Sequence, residues 1–234
     1  MNERLERLHC RVMDREHRTY RRDSLPDLEA EIKPDQLSWM QLAAKICCKS
    51  CELEQPVIFD DERIVFTRTV PSLLPFYSEE IKKRASQGIT LHELGPISNI
   101  CAEWGSVLRD GLKTRRQKAC STRERLAGNQ QIVEFLDDAI ETIDAVLDLA
   151  ERYATAAMAA GKPDLTEMLR RVPAEPAGTF HEALQALRLL QAVVWMSGNY
   201  HVGLGRFDQY IWPYLKSDLE NGRLGRQEAQ ELLA

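Results

Sequence analysis

Residues 170–196 read RRVPAEPAGTFHEALQALRLLQAVVWM, and the fold class turns on them. Pro173 and Pro176 mark a loop, because proline has no N–H to donate and disfavours the helical conformation in the residue before it. Thr179 followed by Glu182 forms a capping-box pattern. The Thr hydroxyl can accept the Glu182 N–H, and the Glu carboxylate can accept the Thr179 N–H in return. The helix that follows is apolar almost all round, with Gln185, Arg188 and Gln191 as its polar interruptions. Such a helix is buried in a larger body and needs cover on every side, cover expected partly from later strands and helices. Its apolar core, 183–196, is too short and too polar to span a bilayer.

Beyond it, residues 198–214 (GNYHVGLGRFDQYIWPY) read as a Gly-rich loop entering a short helix. Glycines let a backbone approach a ligand closely. His201 can exchange protons near neutrality, and Arg206 can hold a carboxylate by two hydrogen bonds. Asp208 can instead lock Arg206 in a buried ion pair within a tight turn, so the residue types allow both a site and a scaffold. Gly203-Leu204-Gly205 is not a dinucleotide loop, since the third glycine of that pattern falls on Asp208. The chain reaches Ala234 inside a helical pattern with no stop signal, and continuation beyond it is expected.

Before the opening stretch, 102–160 reads as two helices. The second carries Ile132, Leu136, Ile140, Ile143, Leu147, Ala150 and Tyr153 on one apolar face, with acidic residues off it. Residues 91–105 predict a loop leading into the first of these helices. The segment 56–70, PVIFDDERIVFTRTV, sets a polar run between two β-rich apolar runs and predicts a hairpin or two short strands. Residues 79–88 predict a short helix. Residues 1–55 read as helices broken near Pro26 and Pro34, with helical spacing of Trp39, Leu42, Ala43 and Ile46.

Apolar residues make up 44% and charged residues 29% of the 234, enough for a sizeable core. A net charge of −5 gives no reason to expect nucleic acid or an anionic membrane as partner. The start lacks a secretory h-region, which places the protein in the cytoplasm. Its six cysteines are then expected as free thiols. Cys48 and Cys51 have C-x-x-C spacing, with Cys47 beside them, but no second pair completes a metal site. On a helix they behave as small hydrophobes. His92-Glu93 begins a zinc-helix motif that Pro96 ends. No metal is expected.

Two phrases, VPAEPAGTFHEALQALRLLQ (172–191) and GRFDQYIWPYLKSDLENGRLGRQEAQELL (205–233), resemble the pyruvate formate-lyase domain of glycyl radical enzymes. IVFTRTV, HELGPISNIC and EWGSVLRDGL, within 56–112, fit as well. The resemblance runs from about residue 30 to the end, with residues 1–30 as a helical extension. It implies a mainly α chain with a few short strands, the amino-terminal part of a ten-stranded α/β barrel, over 1–234 as one truncated domain. Family members use a thiyl radical on a cysteine loop, charged by a glycyl radical near the carboxy terminus. A separate activating enzyme with S-adenosylmethionine and an iron–sulfur cluster installs it. Neither the cysteine-loop phrase nor the R-V-A-G-Y-like loop occurs here, so no catalytic residue is assigned and no cofactor is bound directly.

By the same resemblance His201 lines the substrate cavity. Glu103 and Trp104 occupy the places of an Asp–Tyr pair in dehydratase-like relatives, which argues against a diol or choline substrate. Arg206 joins them as a substrate-binding residue. The complete enzyme, formate acetyltransferase-like or lyase and dehydratase-like, is expected to be a homodimer acting on a small molecule. The alternative is a short non-catalytic subunit that docks on a separate carboxy-terminal chain.

Overall fold

A computed structural model describes residues 3–14, 37–66, 100–199 and 202–233. Its centre is a 30-residue helix along which several of the others pack. In chain order the elements are α1 (Glu3–Met13), α2 (Trp39–Leu53), β1 (Ile100–Cys101), α3 (Trp104–Asp110), α4 (Leu112–Arg125) and α5 (Gln130–Ala159). Then come α6 (Pro163–Arg171), α7 (Phe180–Met196), β2 (Val202–Gly203), α8 (Phe207–Glu220) and α9 (Arg226–Leu233). No helix among these is long and apolar enough to cross a membrane. The chain is mainly helical, as the sequence predicts.

The region 102–160 contains three helices rather than two. The extra break is Gly111, which has φ +75° and ψ 159°. A Cβ there would lie 2.6 Å from the Ala174 carbonyl oxygen, so the position favours glycine twice over. The loop 172–178 is stitched to this break. Leu112 and Lys113 donate to the carbonyls of Pro173 and Ala174 at 2.9 and 3.0 Å, and Ala177 donates to Leu108 at 2.9 Å. Two N–H groups of α4's first turn, which no helix can satisfy internally, are paired this way.

α5 starts at Asn129, whose side chain accepts the Ile132 N–H at 3.2 Å. Its buried stripe is Val146, Leu149, Ala150, Tyr153, Ala154 and Ala157. The expected face is therefore correct at Ala150 and Tyr153. Ile132, Leu136, Ile140, Ile143 and Leu147 are only half-buried, and Phe135 is exposed. α2 and α6 pack along α5 together with α4. Arg152 on α5 donates to the carbonyls of Cys51 and Glu54, groups that the end of α2 leaves unpaired. Tyr153, fully buried, donates to the Glu54 carboxylate at 2.9 Å and stacks at a tilt on Phe66, 4.4 Å between centroids.

Of the predicted strands in 56–70, residues 56–66 form turns with no strand, and 67–70 lie outside the described residues, as do the helix expected at 79–88 and residues 91–99 of the loop expected at 91–105. Side chains of α7 satisfy the 63–66 backbone instead of a β partner. His181 Nε2 meets the Arg63 carbonyl at 2.7 Å, Gln185 accepts the Val65 N–H at 2.8 Å, and Arg188 Nε donates to the Phe66 carbonyl at 2.8 Å. Residues 181, 185 and 188 share one helix face, which is why an irregular segment can lie buried along it.

α7 is buried as predicted, but its cover comes from within the described chain: α2, α3, α5, α6 and α8 all pack on it. No α7 residue is among the exposed large hydrophobics. Its capping box is half formed. Thr179 Oγ1 accepts the Glu182 N–H at 3.1 Å, while the Glu182 carboxylate turns to the Gly178 N–H at 2.6 Å and to Arg171. The Phe180 N–H is taken at 2.7 Å by Asp218, a buried residue of α8 that also accepts from Arg223 Nε at 2.8 Å. A complete box closes α2, where Ser38 and Gln41 exchange hydrogen bonds.

Candidate functional site

The two described strands run parallel, Ile100 opposite Val202 and Cys101 opposite Gly203. Their pairing brings two distant stretches, 100–104 and 202–206, to one place. In parallel α/β sheets, ligands bind beyond the carboxyl ends of strands, and Glu103, Trp104, Gly205 and Arg206 all follow those ends.

Trp104 is buried, and its indole Nε1–H donates to the Gly203 carbonyl at 2.9 Å, fastening the end of β2 to the start of α3. Its backbone N–H bonds to Ala102 at 2.8 Å in a tight turn. Glu103 opens α3 without capping it: the side chain makes no cap bond, and only its carbonyl accepts, from Ser106 Oγ at 3.0 Å. The carboxylate is exposed and has no ion pair or hydrogen bond among the described residues. Arg206 makes a bidentate pair with Asp208, Nε–Oδ1 3.0 Å and Nη2–Oδ2 2.8 Å. This pair is not buried, as the scaffold alternative required, since the two side chains are 69% and 66% exposed. Each group still shifts the other, Arg206 upward and Asp208 downward, chiefly through that hydrogen bond. Arg206 Nη1 has no protein partner among the described residues. His201 lies outside them.

Three features of the site escaped the sequence reading. Gly205, at φ +59°, sits against Cys101: a Cβ would be 2.4 Å from its Sγ. This glycine therefore serves a protein contact rather than a ligand approach. Gly198, at φ +95°, ends α7. Tyr210 donates to the Leu204 carbonyl at 2.8 Å and packs edge-on to Phe207, while Gly105 admits its Cβ at close range. Burial, with a smaller push from Cys101, raises the Tyr210 phenol to about 12, so it stays a donor. Residues 203–206 are thus held from two sides, by Trp104 and by Tyr210. The Tyr210 contact is to a backbone carbonyl, which no residue type at position 204 announces in the sequence.

The cysteines of α2 stand well away in function. Cys51 is buried, and Cys47 and Cys48 are half-buried. Burial pushes the Cys48 thiol up to about 12. Cys51 donates to Cys47, which raises the donor's thiol and lowers the acceptor's. Among the described residues no group of three or more His, Cys, Asp or Glu is arranged to hold a metal ion.

A family model, Pyruvate formate lyase-like, matches residues 71–234. The chain belongs to this family and corresponds to an amino-terminal portion of glycyl radical enzymes. It is 31% identical over 150 residues to the isethionate sulfite-lyase of Nitratidesulfovibrio vulgaris, covering 56% of this chain and 18% of that protein. It is 32% identical over 103 residues to the trans-4-hydroxy-L-proline dehydratase of Clostridioides difficile, covering 38% and 13%. The chain's matches thus span less than a fifth of either relative. The glycerol-bound B12-independent glycerol dehydratase from Clostridium butyricum superimposes with a TM-score of 0.75 at 18% identity, over 99% of this chain and 38% of that one. A glycyl radical enzyme from Archaeoglobus fulgidus gives 0.69 at 19% identity, over 88% and 36%. At such identities the likeness speaks of fold.

Proposed function

We propose that residues 1–234 form the helical scaffold and part of the substrate-cavity wall of a cytoplasmic glycyl radical enzyme of the lyase or dehydratase kind. The cysteine loop and the glycyl loop lie outside these residues, and a radical-SAM activating enzyme charges the glycine. The observation that carries this reading is the parallel pair β1–β2 with Trp104 bound to Gly203, which sets the 103–104 and 202–206 stretches side by side. Its similarity to a sulfite-lyase and a dehydratase favours elimination over the acyl transfer of pyruvate formate-lyase itself.

In this reading each cavity residue has a separate role. The Glu103 carboxylate, which has no partner among the described residues, accepts a hydrogen bond or a proton from the substrate. Trp104 forms an apolar wall whose single polar atom is already committed to Gly203. His201, next to β2 in sequence, carries protons. Arg206, aligned by Asp208, offers its open Nη1 to an anionic substrate group.

The test is anaerobic co-expression with a polypeptide supplying the cysteine and glycyl loops of a family member, followed by turnover assays with isethionate, trans-4-hydroxy-L-proline and glycerol. Glu103→Gln and His201→Ala are expected to lower turnover by about tenfold or more, the scale of a lost acid–base group, with melting unchanged. Equal turnover in wild type and both variants contradicts the placement of these stretches on the cavity wall.

A further inference from the structure

A second cavity, of about 380 Å³, lies behind β2 between α7, α8 and α9. Ile64, Leu184, Leu187, Leu204, Phe207 and Leu232 are among its walls, and the guanidinium of Arg188 is its one cation. Arg188 also borders an adjoining cavity of about 350 Å³ under α1, which shares Ile64 and Leu232 with the first.

The surroundings of Arg188 are unusual for a guanidinium. It is half-buried on the core face of a helix, yet among the described residues it forms no ion pair: Nε donates to the Phe66 carbonyl, Nη1 donates to Gln191 Oε1, and Nη2 has no partner there. Burial, the largest influence, lowers its pKa, against opposing effects from the nearby Glu62 and Tyr153. Interior cations are normally paired, because removing a charge from water is costly. Here a cation with one N–H direction open among the described residues borders apolar walls, which suits an anion that also has an apolar body.

We propose that this cavity binds a small monocarboxylate with an apolar chain, its carboxylate on Arg188 Nη2 and its chain against Leu184, Leu187, Leu204 and Phe207. The volume lies at the lower end of the ~300–1,000 Å³ typical of small-molecule sites. At ~30 Å³ for each water-sized group it holds roughly a dozen heavy atoms. Neither the family assignment nor the β1–β2 site requires this cavity, so it stands independently of the proposed function.

The probe is octanoate, with octanol as its uncharged counterpart, titrated calorimetrically into the chain and followed by thermal melting. Octanoate is expected to bind about tenfold or more tighter than octanol, the margin of a charge-assisted hydrogen bond. Arg188→Gln should remove that margin. Because Arg188 also holds Phe66, that variant can fold poorly, and Leu204→Asp provides the control. Leu204 is exposed at the cavity mouth, and because it also touches the apolar chain, a carboxylate there should weaken both ligands but octanoate at least tenfold more than octanol. Octanol binding as tightly as octanoate, octanoate binding undiminished in Leu204→Asp, or no octanoate binding at millimolar concentration would each overturn the proposal.

Discussion

At the residue scale, two carboxylates look alike in sequence and differ in the fold. Asp208 pairs with Arg206 in open solvent, where screening and side-chain entropy leave an ion pair little net value. Arg206→Ala should therefore leave the urea denaturation midpoint nearly unchanged. A buried pair would have predicted a clear drop in that midpoint. Asp218 is the opposite case: buried, it accepts the Phe180 N–H and Arg223 together. Asp218→Ala leaves a buried N–H unsatisfied and should cost about 2 kcal/mol by the same measurement. The sequence showed both aspartates inside one phrase. Burial, which separates their roles, depends on which helix lies over them, and no local spacing reports that.

At the element scale, α7 replaces a strand. The sequence pattern of 56–66 is β-like, but its backbone partners are the side chains of His181, Gln185 and Arg188, one face of one helix. Such non-local pairing leaves no periodic trace, so the strand expectation failed while the helix expectation held. His181 makes the contact titratable. Burial, its largest influence, lowers its pKa from about 6.5. Above about pH 6.5 the ring is neutral in folded and unfolded chains, and this contact is at full strength. As the pH falls below that value, the unfolded chain takes up the proton first and stability declines. The decline between pH 6.5 and 5 should be smaller in His181→Gln. An equal slope in both proteins contradicts the assignment. The break between α3 and α4 was equally hidden, since Gly111 is one glycine in an otherwise helical pattern. Gly111→Ala must adopt φ +75° and meet the Ala174 carbonyl, and should cost about 2–4 kcal/mol by chemical denaturation.

At the scale of the whole molecule, the two long phrases around α7 and α8 were legible because they are held together by Asp218, Thr179 and the stitched loop 172–178. Their residue types are required at several points simultaneously. The candidate site was legible only in part. Glu103 and Arg206 were singled out and lie at the ends of the paired strands, whereas the pairing itself joins residues about a hundred positions apart and covers two residues on each strand. What a cavity wall requires, and a free-standing helical subunit does not, is a radical partner elsewhere. The central claim is tested by electron paramagnetic resonance after anaerobic incubation with a radical-SAM activating enzyme, S-adenosylmethionine and reductant. The account predicts no glycyl-type doublet from residues 1–234 alone and a doublet when a polypeptide carrying the cysteine and glycyl loops is co-expressed. A doublet from this chain by itself, or none from the co-expressed pair, would contradict it.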